Sequence, residues 1–497
     1  MTTLPRQRPF EPAPNPGLKF ENFSKICENG FGNGHNCYAH AMGWWKNQLY
    51  VGTTRSNLCL LKLSKIVGEW DLAVWPVECP DDIDSLYKLL DRRAEIWRYD
   101  PLEKSWKQLM RSPMVMGSEG ELVTRDMGYR AMTVFQGESD IEPVIYMATT
   151  SPGRGPGSLI LRSEDGENFE PASEYGILGL PIVSTRLLVP FQGRLFTSPT
   201  GTRGFQPNIS GVPVVYESRN PAQGKWQAAS LPGFGEPDNE GVFTLCPFRD
   251  KLYAGTLNCK GFQIWRTDCA GDPPYQWTKI VEQGAYRGSL NQIALSMIAF
   301  NDALYVGTGI QNGGHDIVNR IGPAAAELIR IYPDDSWDLI VGSPRNTPCG
   351  RKHPLSSLQP GLGNAFNGYF WCMVVHDGWL YLGTCNIASV MLSWCSLKKK
   401  PGRMQRLVEE VGSDNIVKNQ SGFELWRSCD GENWLPVDRQ GFGNPYNIGI
   451  RNMISSPYGL FVGTTNPFGP RVAVKQNDEW IYTDNPGGGL EIWLGST

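Results

Sequence analysis

Three arginines, a histidine and three large apolar residues hold one recurring position in this chain of 497 residues. Each heads a short run that passes through a tight turn into a segment like Leu-Tyr-Val-Gly-Thr. His40 precedes Ala41-Met42, Arg130 precedes Ala131-Met132, and Arg186 precedes Leu187-Leu188. Phe243, Leu295, Trp371 and Arg451 precede Thr244-Leu245, Ser296-Met297, Cys372-Met373 and Asn452-Met453. Arginine keeps its charge and offers a planar fork matched to carboxylate or phosphate. Histidine moves a proton near neutral pH. Phe243, Leu295 and Trp371 supply an apolar wall. The set suits a small molecule with an anionic or polar head and a greasy or aromatic body. The competing reading pairs each arginine with an acid such as Asp126 or Glu240 and gives it a packing role only.

Tyr38, Tyr129, Tyr369 and Tyr446 lie one to five residues before these positions. A tyrosine there donates to a developing charge, or simply bonds across neighbouring repeats. A metal reading rests on His35, His40, His315 and His353, which all map to the loop-rich side. Carotenoid-cleaving oxygenases hold iron with four histidines, each on a different repeat, but here only His40 heads an inner strand. Glycosidase chemistry needs paired carboxylates. Glu119, Glu121, Asp126, Asp238 and Glu240 are the candidates, and the sequence does not pair them. No P-loop, GxSxG elbow or HExxH occurs.

The elements that must carry these residues repeat seven times. Each unit reads as four short strands: two inner ones around a turn such as Lys46-Asn47 or Asp377-Gly378, a third such as Gly422 to Arg427, and a fourth opening on an aromatic such as Trp106 or Trp434. The seventh unit lacks its fourth strand, and Phe23 to Cys27 supplies it, with Lys25 beside Ile492. The reading is all-β: a seven-bladed β-propeller closed by an N-terminal strand. Residues 1–19 form an extended arm and 20–497 one domain, with blades starting near 40, 130, 186, 243, 295, 371 and 451, and residues 20–28 completing the seventh. Long insertions (55–93, 309–326, 385–421, 466–488) and the link 342–369 gather on one face, where loops carry function. Segments 81–93 and 404–411 have helical spacing.

Bulk composition narrows the class. The net charge of -4 gives no basic field for nucleic acid. No apolar window is long enough to span a membrane. No secretory signal opens the sequence, which predicts a cytoplasmic protein. Twelve cysteines without a CxxC pair predict reduced thiols, not a disulfide framework. No cofactor is predicted; iron or calcium is the minor alternative.

The run Leu380 to Thr384 followed by Gly422 to Trp434 resembles the propeller region of bacterial cylindrocyclophane-forming, Friedel–Crafts-type alkylating enzymes. The resemblance covers most of the chain. It implies an enzyme that joins an alkyl halide to an electron-rich ring or a carboxylate, using channel-mouth Arg and Tyr residues. The matching types here are Arg130 or Arg451 and Tyr129 or Tyr446. That family's calcium-binding repeat region has no counterpart in this sequence. The expectation is a small-molecule tailoring enzyme of secondary metabolism, with a non-catalytic ligand- or protein-binding propeller as the runner-up. An acidic-sugar hydrolase or lyase, or a histidine-ligated oxygenase, comes third. His40, Arg130, Arg451, Tyr129 and Tyr446 are the catalytic candidates. Arg186, Phe243, Leu295, Trp371 and Tyr38 are the binding candidates.

Overall fold

The computed structural model describes residues 13, 15–63, 72–201, 210–393 and 403–497, and these are mostly antiparallel β-structure. One pairing pattern recurs. Strand Asn36–Trp45 turns into Gln48–Arg55, which pairs with Glu95–Asp100, which pairs with Ser105–Arg111. Lys46 and Asn47 at the turn have φ of 47° and 60°, the left-handed pair that lets a two-residue hairpin follow the strand twist. The same four-strand order begins again at Gly128–Phe135, Asn239–Phe248, Ile293–Phe300 and Asn367–His376. Near Arg186 the inner strands are interrupted: Ser184–Thr185 and Val189–Phe191 stand where one strand runs elsewhere.

The C-terminal group takes its fourth strand from the other end of the chain. Gly449–Ser456, Gly459–Thr465 and Ile492–Gly495 pair in order, and Phe23–Cys27 pairs with Ile492–Gly495. Lys25 lies opposite Trp493, not Ile492; an irregularity then brings Cys27 opposite Ile492. Single backbone pairs stitch neighbouring groups together: Thr54 with Gly128, Thr150 with Ser184, Gly309 with Tyr369, Cys385 with Gly449, and Thr465 with Tyr38.

The glycine of the Leu-Tyr-Val-Gly-Thr run is where these groups meet. A Cβ on Gly52 would lie 2.6 Å from Tyr129 Cβ, and one on Gly383 the same distance from Ile450 Cβ. Only glycine lets the backbones approach so closely. A buried polar network marks the group entrances. Asn447 Nδ2 donates to Gly441 O at 2.9 Å and to Glu491 Oε2 at 2.7 Å, and Trp493 Nε1 donates to the same carboxylate oxygen at 2.9 Å. Asn36 makes the equivalent bonds to Gly30 O and Glu95 Oε2, and Trp97 donates to Glu95. A buried Asn left without these partners costs free energy, which accounts for the recurring Gly-Phe-Gly-Asn-x-x-Asn and Glu-Ile-Trp runs.

The insertions build a second, smaller core. Helices α1 (Asn57–Leu63), α2 (Ile83–Leu89), α3 (Arg403–Val411) and α4 (Ser413–Gln420) meet the hairpin Arg471–Gln476/Glu479–Asp484. Leu58, Val77, Leu86, Val390, Val408, Ile416, Ile448 and Val472 are buried together there. Cys59 on α1 is disulfide-bonded to Cys79, 20 residues on. This corrects the expectation of reduced thiols throughout: the two sulfurs meet only because the insertion folds back on α1, which spacing does not reveal. Such a bond persists in oxidising surroundings. Nine of the described cysteines are free; Cys395 lies outside the described residues. No helix among the described residues is long and apolar enough to cross a membrane.

Of the N-terminal arm, residues 1–12 and 14 lie outside the described residues. Gly17 and Leu18 lie against the 379–381 strand: Leu18 N donates to Tyr381 Oη at 2.8 Å, and the Arg427 guanidinium donates to Leu18 O.

Candidate functional site

Six of the seven recurring positions are β-bulges. Ala39 faces Thr53 and Ala41 faces Gly52, so His40 is the extra residue between them. Arg130, Phe243, Leu295, Trp371 and Arg451 are extra in the same way. Arg186 sits in the strand interruption and donates its backbone N–H to Ser198 O at 3.2 Å. A bulge bends its strand and re-aims one side chain. Here all seven side chains line a single cavity of about 200 Å³. In chain order the cationic members are adjacent (Arg451, His40, Arg130, Arg186) once the two ends of the sheet meet at Tyr38 and Thr465. Phe243, Leu295 and Trp371 form the other side. Helix α1 adds Leu58, Leu60 and Leu61, and Met127, Ile293, Ile387, Val390 and Ile448 complete an apolar surround.

The cations have unusual company. Arg186 is buried, donates Nε–H to Phe243 O at 3.0 Å, and its guanidinium carbon stands 4.0 Å from the Phe243 ring centre. The Arg451 guanidinium carbon lies 5.4 Å from the Trp371 ring centre, and its buried Nε has no hydrogen-bond acceptor among the described residues. Arg130 donates to Ser184 Oγ at 2.8 Å and Thr200 Oγ1 at 3.2 Å. Among the described residues no carboxylate is paired with Arg186 or Arg451. Asp126 pairs instead with Arg125 at 2.8 Å, and Glu240 accepts from Cys259; the simple packing reading therefore loses its acids. Burial, reinforced by Arg451, brings the Arg130 pKa down to about 9. Burial pushes Arg186 well down, and Arg130 and Arg451 add to it.

His40 keeps partial exposure while lining the cavity, and Nδ1 lies 2.5 Å from Thr54 Oγ1. Burial holds it well below the ordinary value of 6.5, and the three guanidiniums act in the same direction. It is a neutral imidazole within a cationic wall.

Two catalytic candidates lie elsewhere. Tyr129 adjoins Arg130, and strand alternation sends it the other way, over Gly52 into the core between neighbouring groups. Tyr446 packs on Phe468, ring centres 5.1 Å apart, in the smaller core built by the insertions. Tyr38 and Tyr369 do line the cavity: Tyr38 Oη donates to Asn57 Oδ1 at 3.1 Å, and Tyr369 Oη accepts from Gly313 N at 2.8 Å. Burial raises both phenols.

The other histidines do not join His40. His35 Nδ1 contacts Ser56 Oγ at 3.0 Å, and neither His315 nor His353 lines the cavity. No group of three or more His, Cys, Asp or Glu among the described residues is arranged to hold a metal ion. None of Glu119, Glu121, Asp126, Asp238 and Glu240 lines the cavity, so the paired-carboxylate reading finds no pair there. Helix α1, Met127 and Thr54 were not legible as site residues, because insertions and strand ends bring them in without a repeat signal.

A larger cleft, about 620 Å³, runs between strands Thr278–Val281 and Trp337–Val341. Its charges are mixed: Lys279, Lys352, Glu282, Asp335 and Asp338 share it, and Lys352 already meets Asp338 at 3.4 Å. The smaller cavity is the better candidate because its charge is one-sided.

No protein-family model and no curated protein matches this chain. Solved structures do. A puromycin-hydrolysing peptidase of Mycobacterium tuberculosis is 9% identical over 93% of this chain and 56% of its own length, with a TM-score of 0.40. A structure described as a putative glucose dehydrogenase of Thermus thermophilus is 13% identical over 74% of this chain and 94% of its own, with a TM-score of 0.37. An α-L-arabinofuranosidase of Clostridium thermocellum gives 11%, 60%, 91% and 0.28 for the same measures. Scores this low assign neither fold nor activity.

Proposed function

We propose that the four-stranded groups are the seven blades of a propeller, closed by Phe23–Cys27 as outer strand of the last blade. Its axial cavity is then the site of a small-molecule enzyme. The observation that carries this reading is the pair Arg186 and Arg451, guanidiniums in a cavity that no carboxylate lines among the described residues. Arginine does not escape burial by losing its proton, so an anion is the natural partner. The ligand's anionic head lies on the arginine side and its apolar body on Phe243, Leu295 and Trp371. With Nδ1–H turned to Thr54, His40 presents Nε2 as a base. The arginines hold the anion that forms or leaves while His40 accepts the proton. Alkylation of the kind implied by the repeat resemblance is one such reaction, the nucleophile's proton passing to His40 and the halide leaving toward the arginines.

A non-catalytic binding role is the second reading. It is favoured by the partner of His40: a hydroxyl, not a carboxylate, backs the imidazole. One screen separates the two. Small organic anions raise the melting temperature of the wild type and not of Arg451→Met. An enzyme then converts a stabilising compound, and His40→Gln slows turnover about 100-fold or more while binding persists. If no anion stabilises the wild type, both readings fail.

A further inference from the structure

The class of the head group follows from donor capacity, given the cavity as the ligand site. A guanidinium carries five N–H donors. Arg186 commits one of them to Phe243 O, and Arg451 commits none to an acceptor among the described residues, which leaves four and five. The guanidinium carbons lie 4.0 Å from the Phe243 ring centre and 5.4 Å from that of Trp371; a cation held over a ring spends no N–H donor on an acceptor, so the donors stay available for oxygen. A carboxylate offers two oxygens and a single charge, fewer than these donors can use. A phosphoryl group brings three strong acceptor oxygens and about two negative charges near neutral pH. Two guanidiniums that meet no carboxylate among the described residues are matched by that charge.

We propose that the cavity takes a phosphoryl-bearing small molecule, its oxygens between Arg186 and Arg451 and its carbon body against Phe243, Leu295 and Trp371. The cavity of about 200 Å³ is smaller than the roughly 300–1,000 Å³ of pockets for drug-sized ligands, which favours a body of about one aromatic ring. Arg186 is nine-tenths buried, so this is a built site and not a surface patch.

Calorimetric titration of the full chain at pH 8, disulfide intact, tests this with three probes of one shape: phenyl phosphate, benzenesulfonate and benzoate. Phenyl phosphate binds about 30-fold or more tighter than benzoate, with benzenesulfonate between them. Arg186→Met and Arg451→Met each weaken phenyl phosphate at least about tenfold, and Arg451→Lys falls between wild type and Met because it keeps charge but loses the fork. At pH 5 phenyl phosphate weakens, as its second proton returns near pH 6, and benzoate does not. Circular dichroism melts confirm that each variant is folded. Benzoate binding as tightly as phenyl phosphate overturns the phosphoryl assignment and leaves the anion cavity standing. No probe binding to the folded wild type overturns both, and so does equal binding by a folded Arg451→Met.

Discussion

Arg451 carries the clearest residue-scale consequence. Its Nε is buried without an acceptor among the described residues, and burial lowers its pKa. Removing such a charge relieves a desolvation cost. Arg451→Met therefore melts at a higher temperature than the wild type when no ligand is present, although it loses ligand binding; a lower melting temperature would mean that the guanidinium is structural. His40 gives a pH signature. Its folded pKa lies well below 6.5, so the unfolded chain binds the extra proton as pH falls. Stability is then constant above about pH 6.5 and declines below it, by up to about 1.4 kcal/mol per pH unit for this one group. His35, His315 and His376 are shifted in the same direction by burial. The readout is thus the difference between wild type and His40→Gln, measured by denaturant unfolding from pH 5 to 8. The wild type loses more on acidification.

At the scale of elements, bulges and glycines do the positioning. A bulge turns the residue at the cavity, and the residue before it packs on the preceding group's glycine, as Ile450 does on Gly383. Gly383→Ala forces a Cβ to 2.6 Å from Ile450 Cβ and is expected to cost about 1–3 kcal/mol in unfolding free energy. The disulfide anchors α1, which lines the cavity, to the segment that bridges to Val472 through Val77. Closing a loop of that length contributes on the order of 3 kcal/mol. Cys79→Ser is expected to speed amide exchange in α1 while leaving the central strands protected.

For the molecule as a whole, the N-terminal strand matters because Phe23–Cys27 covers the free edge of Ile492–Gly495. Deleting residues through Cys27 uncovers the Ile492–Gly495 edge, and an open edge invites pairing between chains. Light scattering on the truncated protein is expected to show association. Much of this was legible in the sequence, because repeat grammar is local: turn pairs, Gly-Thr runs and the aromatic that opens a fourth strand each declare themselves. The seven cavity positions were legible for the same reason. Lys25 was set one residue out because a strand irregularity leaves no mark on the sequence. Tyr129 lies away from the cavity because strand alternation turns it opposite to Arg130, and Tyr446 because it sits in the turn before its strand and packs on Phe468. The Cys59–Cys79 pair and the α1 wall come from insertions whose meeting depends on the completed fold. The most direct test of the central claim is anomalous diffraction from a crystal soaked in bromide. The account predicts a bromide peak within hydrogen-bonding reach of both Arg186 and Arg451. An empty cavity, with bromide only in the outer cleft near Lys279 and Lys352, would contradict it.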